Sequence, residues 1–419
     1  VFDQNLKNNS FVSIINTNIL RNGNTYDANV TGFQFDLRNK KNSYSLAGSG
    51  AYNVKMGGIY KQDEVNDDGF TQQLSLSKIS GKWTYSTGYY LESDTYDPTD
   101  MGFLQANNSI GYYASGAFRQ FTPFGRFNSF NSNIYFNYNQ LYNPNTFTDF
   151  SIETDSYLNT KKFTTYNLNT VISPVRGYDY FEPRTPGMTF RTYTYNQIGG
   201  WISTDYRKPI ALDLGAWTSK YENEGRHIFN WRVAPRFRVN DHLFITYVYS
   251  KQQHFNDLGY ATRDESSNPI FGRRDVISHT NVLTVNYAFN PIMTASCRVR
   301  HYWGFSKYKE FYNLKQDGYL EPSDYVGFVN DNGDITEYSN ADRSFNSFTV
   351  DLVYRWIFTP GSEISIVWKN AIINSDFGDP VPTNLGDDID YTFRLPQSNS
   401  ISLKVLYFLD YNSLVRKKG

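Results

Sequence analysis

The strongest constraint in this 419-residue chain is an alternation of period two that recurs along its length. In 348–358, Phe348, Val350, Leu352, Tyr354, Trp356 and Phe358 share one face, while Thr349, Asp351, Val353, Arg355 and Ile357 share the other. Met293, Ala295, Cys297, Val299 and His301 alternate with Thr294, Ser296, Arg298 and Arg300. Trp231, Val233, Pro235 and Phe237 alternate with Arg232, Ala234, Arg236 and Arg238, and Ile401, Leu403, Val405 and Tyr407 with Ser402, Lys404, Leu406 and Phe408. Successive side chains of a strand point to opposite faces, so this period reads as strand. No 3.6-residue stripe stands out, so no helix is expected.

About 18 such segments are expected, each of about 9–13 residues, the length of a tilted membrane-spanning strand. They cover 10–20, 26–38, 43–55, 70–80, 83–93, 109–121, 129–141, 147–158, 164–174, 194–206, 210–220, 227–239, 242–254, 276–288, 292–303, 345–358, 362–374 and 399–411. Their connections also alternate. Short ones such as 38–42, 80–82, 207–209, 240–241, 290–291 and 359–362 carry the Gly, Pro, Asn and Asp of tight turns. The others are mostly long: 56–69, 94–108, 175–193, 255–275, 304–344 and 375–398, with 21–25, 142–146 and 221–226 short where the pattern expects length. A soluble sandwich has no cause to sort its loops this way. An outer-membrane barrel has short periplasmic turns and long outer loops. The expected fold is therefore all-β: a transmembrane antiparallel β-barrel in the bacterial outer membrane. An even strand count puts both termini in the periplasm. With no linker or shift of composition, 1–419 reads as one domain.

Composition agrees. Aromatics make up 18% of the chain, as 35 Tyr, 32 Phe and 7 Trp. With tyrosine set aside and glycine counted, the apolar share is about 37%, below the roughly 45–50% of soluble globular domains. Aromatic and β-branched residues in this number argue against disorder. A net charge of −1 excludes a basic footprint, so no nucleic-acid partner is expected. The single cysteine, Cys297, forms no intrachain disulfide and falls on the apolar face. Val1 is not followed by a charged and then apolar leader, so a mature or truncated product is expected.

On a barrel the apolar face meets lipid, and Trp231, Trp303, Trp356 and Trp368 are the expected interfacial aromatics. The other face of the later strands carries Arg232, Arg236, Arg238, Arg298, Arg300, Asp351 and Arg355, the expected lumen lining. Two readings of these stay open. The arginines set a field that favours anions, or they pair with Asp351, Asp205 and Asp213 to knit the wall.

Four stretches carry a resemblance. They are Tyr26-Asp27-Ala28-Asn29-Val30-Thr31-Gly32 through to Asn42, Tyr96-Asp97-Pro98-Thr99-Asp100-Met101-Gly102, Gly177-Tyr178-Asp179-Tyr180-Phe181-Glu182-Pro183, and Leu395-Pro396-Gln397-Ser398 through to Tyr411. Together they resemble the C-terminal region of a Bacteroidota outer-membrane family of unknown function. Its members often begin with a carbohydrate-binding-family-nine-like domain. The resemblance spans most of the chain and implies an outer-membrane barrel of a Bacteroidota cell envelope. It transfers no catalytic residue, and no such N-terminal domain is expected within these residues.

No catalytic or phosphate-binding signature is present, so no enzyme and no cofactor is expected. The five histidines have no metal spacing, and His279 and His301 are candidates for chemistry by presence alone. Asp331, Asp334 and Glu337 form a weak calcium-like cluster that reads better as an ordinary turn. The segment 304–344 has eight acids against four bases, with Tyr308, Tyr312, Tyr319, Tyr325 and Tyr338 interleaved. These rings are expected to pack, or to stack on sugar. The functional expectation is a passive or loop-gated channel, with loops 175–193, 304–344 and 375–398 long enough to narrow the lumen. The alternative is a plugged barrel acting as a platform for a binding domain or for surface or periplasmic protein partners. Outer-membrane lipid and a glycan or peptide ligand complete the expected partners.

Overall fold

A computed structural model describes residues 1–23, 25–57, 67–100, 102–104, 106–222, 225–264, 266–325, 342–377, 382 and 384–409. Nearly all of it is strand, and all eighteen expected segments are strands. The backbone divides into two compact units, Val1–Lys161 with Asn167–Ile198 and Gln316–Gly318, and Lys162–Tyr166 with Gly199–Lys315 and Tyr319–Gly419.

The first unit is an antiparallel meander of β1 (Phe2–Leu6), β2 (Ser10–Ile19), β3 (Asp27–Arg38), β4 (Tyr44–Met56), β5 (Asp67–Lys78), β6 (Trp83–Glu92), β7 (Ser109–Gln120), β8 (Phe127–Gln140) and β9 (Phe147–Thr160). Each strand pairs with the next. After β10 (Thr165–Ser173) comes a small hairpin of β11 (Tyr178–Asp179) and β12 (Phe190–Arg191), then β13 (Tyr195–Ser203). β10 and β13 have residues in both units. Directly opposed residues share a face, so the register traces one row across this sheet: Ser13, Gln34, Ser49, Gln73, Tyr90, Gly111, Asn139 and Asp149. That is the polar face. The opposite face carries Ile14, Phe33, Leu46, Leu74, Leu76, Ile134 and Phe136, all exposed.

The second unit continues with β14 (Ile210–Tyr221), β15 (His227–Arg238), β16 (Leu243–Arg263), β17 (Pro269–Asn290), β18 (Met293–Leu314), β19 (Leu320–Pro322), β20 (Arg343–Thr359), β21 (Ser362–Phe377), α1 (Leu385–Thr392) and β22 (Ser398–Leu406). The long strands form another antiparallel meander, with β19 a short addition beside β18. The exposed face here bears Leu214, Phe229, Leu352, Ile366, Ile401, Leu403 and Val405. β22 is laddered to β21, and the sheet is not closed into a ring among the described residues.

Three expectations are corrected. The connection expected at 255–275 shrinks to 264–268, because β16 and β17 run on, and β18 likewise extends into 304–314. Register shifts between His254 and Asp257 and between Arg273 and Arg274 change the phase of the alternation, which hid the extension. The extension holds its own apolar cluster of Ala261, Ile270, Tyr308 and Phe311, so Tyr308 packs. Second, a helix does form. Asn384 caps α1 by accepting from the Asp387 N–H, with Asp387 and Asp388 in the first turn where the helix dipole favours acids. Eight residues are too few for a 3.6-residue stripe to show. Third, β22 ends at Leu406.

Exposure is inverted relative to a water-soluble sheet. On the apolar face Leu76 is 53% and Ile401 77% accessible, while Asn53 (2%) and Asp213 (5%) on the polar faces are buried. Each large apolar side chain left in water forgoes about 1.5–3 kcal/mol. The side chains named above are 38% to 77% accessible, so together they forgo roughly 10–20 kcal/mol, comparable with the roughly 5–15 kcal/mol by which a folded domain is stable. This face therefore needs a cover other than water.

Candidate functional site

The register gathers the expected wall residues. Arg236, Thr246, Thr284, Arg298, Asp351, Lys369 and Ser400 stand directly opposite one another in a single row from β15 to β22. Arg232 and Arg238 lie on the same face of β15, Arg300 one step along β18, and Arg355 on β20. All seven expected positions thus share the polar face of the second unit. The cause is local: strict alternation holds through these strands, so every arginine takes the same parity.

Carboxylates engage some of the arginines. Arg236 donates to Asp213 Oδ2 at 3.0 and 3.2 Å, and Asp213 also accepts from Ser203 at 2.7 Å and from the Tyr206 hydroxyl. Arg300 donates to Asp351 at 2.8 Å, and Arg355 Nε to Glu363 at 2.7 Å. In the turn below β14, Arg207 grips Asp205 through two 2.8 Å bonds and holds its carboxyl down to about 2. Arg232, Arg238 and Arg298 have no carboxylate partner among the described residues. Arg238 lines a cavity of about 620 Å³ with Asn240–Phe244 at the short-turn end. Among the described residues of β18, β20, β21 and β22, Arg298, Arg300, Arg355, Lys369 and Lys404 share the polar face with the carboxylates Asp351 and Glu363. Ion pairs knit this face, and its cationic side chains outnumber its carboxylates.

Of the four expected interfacial tryptophans, Trp231, Trp356 and Trp368 lie on the apolar face. Trp368 is partly accessible and donates from Nε1 to Asn399 at 3.1 Å. Trp303 does not fit that role, because it is 0% accessible. Its ring stacks on His279 with centroids 5.0 Å apart, meets Phe305 at 5.0 Å, and donates to Ser344 at 3.3 Å. It is a packing residue. The alternation gave its face, and burial by neighbours was invisible to it.

Sequence reasoning missed the helix site. Asp388, wholly buried, lies 3.1 Å from His301 Nε2 and accepts from Asn346 Nδ2, which also donates to Thr392. Phe393 meets Phe348 edge-on at 5.0 Å. His301, Asn346 and Phe348 belong to the apolar face, so α1 packs there and not on the polar face, contrary to the inward fold expected of loop 375–398. A crevice of about 230 Å³ beside the pair is walled by Leu283, Val299, Phe348, Ile389 and Phe393 and holds no serine or cysteine. A buried His–Asp pair there tethers the helix. Hairpin β11–β12, within loop 175–193, does rest on the polar face of its own unit: Gly177 and Thr148 are in close backbone contact, and a cavity lies beneath it. The calcium-like residues Asp331, Asp334 and Glu337, and Tyr338, lie outside the described residues. Among the described residues no group of His, Cys, Asp and Glu is arranged to hold a metal.

Together these features define a class: a nearly all-β chain of up-and-down antiparallel strands, each unit having a largely exposed apolar face and a charged, hydrogen-bonded one. Residues 1–418 match the family described as Domain of unknown function (DUF5916), and the chain belongs to that family. No curated protein matches it. The chain is similar to the crystal structure of the siderophore receptor PirA from Acinetobacter baumannii, with 10% identity and a TM-score of 0.46, over 96% of this chain and 74% of that one.

Proposed function

We propose that this chain is an outer-membrane β-barrel of a Bacteroidota cell envelope, acting as a passive, loop-gated channel with both termini in the periplasm. The inverted exposure carries the reading. Bilayer lipid covers such an apolar face, and an aqueous lumen hydrates such a polar one. The connection lengths support the orientation, with two-residue turns such as Pro291-Ile292 and Pro360-Gly361 set toward the periplasm. The electropositive row, and Arg232, Arg238 and Arg298 in particular, favours anions. The reading needs no catalytic residue and no cofactor; its partner is outer-membrane lipid, and a glycan or peptide is its candidate cargo.

Hairpin β11–β12 over the polar face favours a second reading, a plugged barrel that anchors a binding domain, such as the carbohydrate-binding-family-nine-like one, or a surface or periplasmic protein partner. Recordings in planar bilayers separate the two. The channel reading expects steps of conductance with anion preference, and a loss of that preference in Arg232→Ala/Arg298→Ala. An absence of conductance contradicts it and leaves the platform.

A further inference from the structure

The cavity beneath hairpin β11–β12, about 320 Å³, lies within the size range of small-ligand pockets. Its floor is Tyr90, Asn139 and Asp149, which stand in one row with Gly111. A Cβ on Gly111 would lie 2.2 Å from Tyr90 Cζ, so the tyrosine ring lies flat across the glycine. That pose brings the Tyr90 hydroxyl to Asn139 Oδ1 at 2.9 Å, and Asn139 Nδ2 in turn donates to Asp149 at 2.8 Å. The roof is Tyr178, Asp179, Tyr180 and Phe181. Asp179 accepts from the N–H groups of Phe181 and Glu182 at 2.9 and 2.8 Å, which fixes the bend that presents Phe181, an exposed ring.

The lining chemistry selects a ligand class. Among the described residues no lysine, arginine or histidine lines the cavity, so no cationic side chain draws an anion into it. Both carboxylates already accept from neighbours, which weakens their claim on a bare cation while leaving lone pairs for hydroxyl donors. Gln140, Thr148 and Thr192 add neutral donors and acceptors, and the aromatic rings offer flat apolar faces. We propose that this cavity is a subsite for a neutral saccharide, its ring lying against Phe181 and Tyr180 and its hydroxyls bonded to Asn139 and Asp149. The assignment goes beyond the channel reading and does not depend on conductance, since a plugged barrel would bind the same ligand.

The test is calorimetry on the full chain in a polyoxyethylene detergent, with maltohexaose, xylohexaose and laminarihexaose as probes and with choline and oligogalacturonate as cationic and anionic counterparts. At least one neutral hexasaccharide is expected to bind, and Phe181→Ala and Tyr180→Ala are each expected to weaken it about tenfold. Both sit in the hairpin, and the strand content by circular dichroism is expected to stay unchanged. The proposal is overturned if none of the three binds at millimolar concentration. Tighter binding of choline or oligogalacturonate, or saccharide binding that survives both substitutions, overturns it equally.

Discussion

Glycines opposite aromatic rings decide fine geometry at the residue scale. Gly111 is an instance where a side chain of the preceding strand, Tyr90, occupies the space a Cβ would take. Gly111→Ala is expected to push Tyr90 off Asn139 and to cost about 1–3 kcal/mol, as overpacking does. Gly116 on the same strand meets only Ile134 Cγ2 at 3.6 Å, an ordinary contact, so Gly116→Ala is the matched control. Urea unfolding in micelles should separate the two. A pH effect belongs to the same scale. The carboxyl of Asp205, bonded to Arg207, sits at about 2 against an ordinary 3.8. A lowered folded value means the pair supports the turn above the unfolded value and loses that support as pH falls through the folded one. Unfolding midpoints of the wild type and Asp205→Asn are expected to differ at neutral pH and to converge between pH 3.8 and about 2. Alternation assigned these residues to faces, but contacts across strands were beyond it, because they depend on register that a single sequence does not print.

Legibility at the scale of elements followed length and phase. The long strands were readable because apolar and polar positions alternate without interruption, as in 293–301 and 348–358. The extensions of β16, β17 and β18 into 255–275 and 304–314 were not, since bulges at 254–257 and 273–274 shift the phase of the pattern. The cluster under that extension gives it independent support, and Phe311→Ala is expected to cost about 3–5 kcal/mol locally. Hydrogen exchange should rise in 258–263 and 269–273 while 243–253 stays protected. Helix α1 was hidden by its shortness, although Asn384 followed by Asp387 and Asp388 was a capping signal that could have found it. Its hold on the sheet rests on Asp388. Asp388→Ala leaves His301 without its buried acceptor, at about 1–3 kcal/mol, while Asn346 keeps its bond to Thr392. The expected result is faster proteolysis within 384–394 with the strand signal unchanged; equal cleavage rates would show that the helix is held by other contacts. Of the candidate site, the arginine row was legible by parity, while Trp303 was misassigned because alternation does not report burial.

Across the whole molecule, the modest apolar content and 18% aromatics resolve into a division between faces, apolar side chains bare on one and charges on the other. Near-zero net charge likewise conceals an arginine-bearing wall beside acidic segments such as 304–344. The central claim is that lipid covers the apolar face and water the polar one. Spin labels report this directly. With Cys297→Ser as background, single cysteines along β22 and β5 at Ile401, Ser402, Leu403 and Lys404, and at Leu74, Ser75, Leu76 and Ser77, are labelled in reconstituted bilayers. Oxygen accessibility is expected to peak at Leu74, Leu76, Ile401 and Leu403, and that of a water-soluble nickel chelate at the positions between, with a period of two. Equal accessibility to the chelate at both sets of positions would contradict the claim.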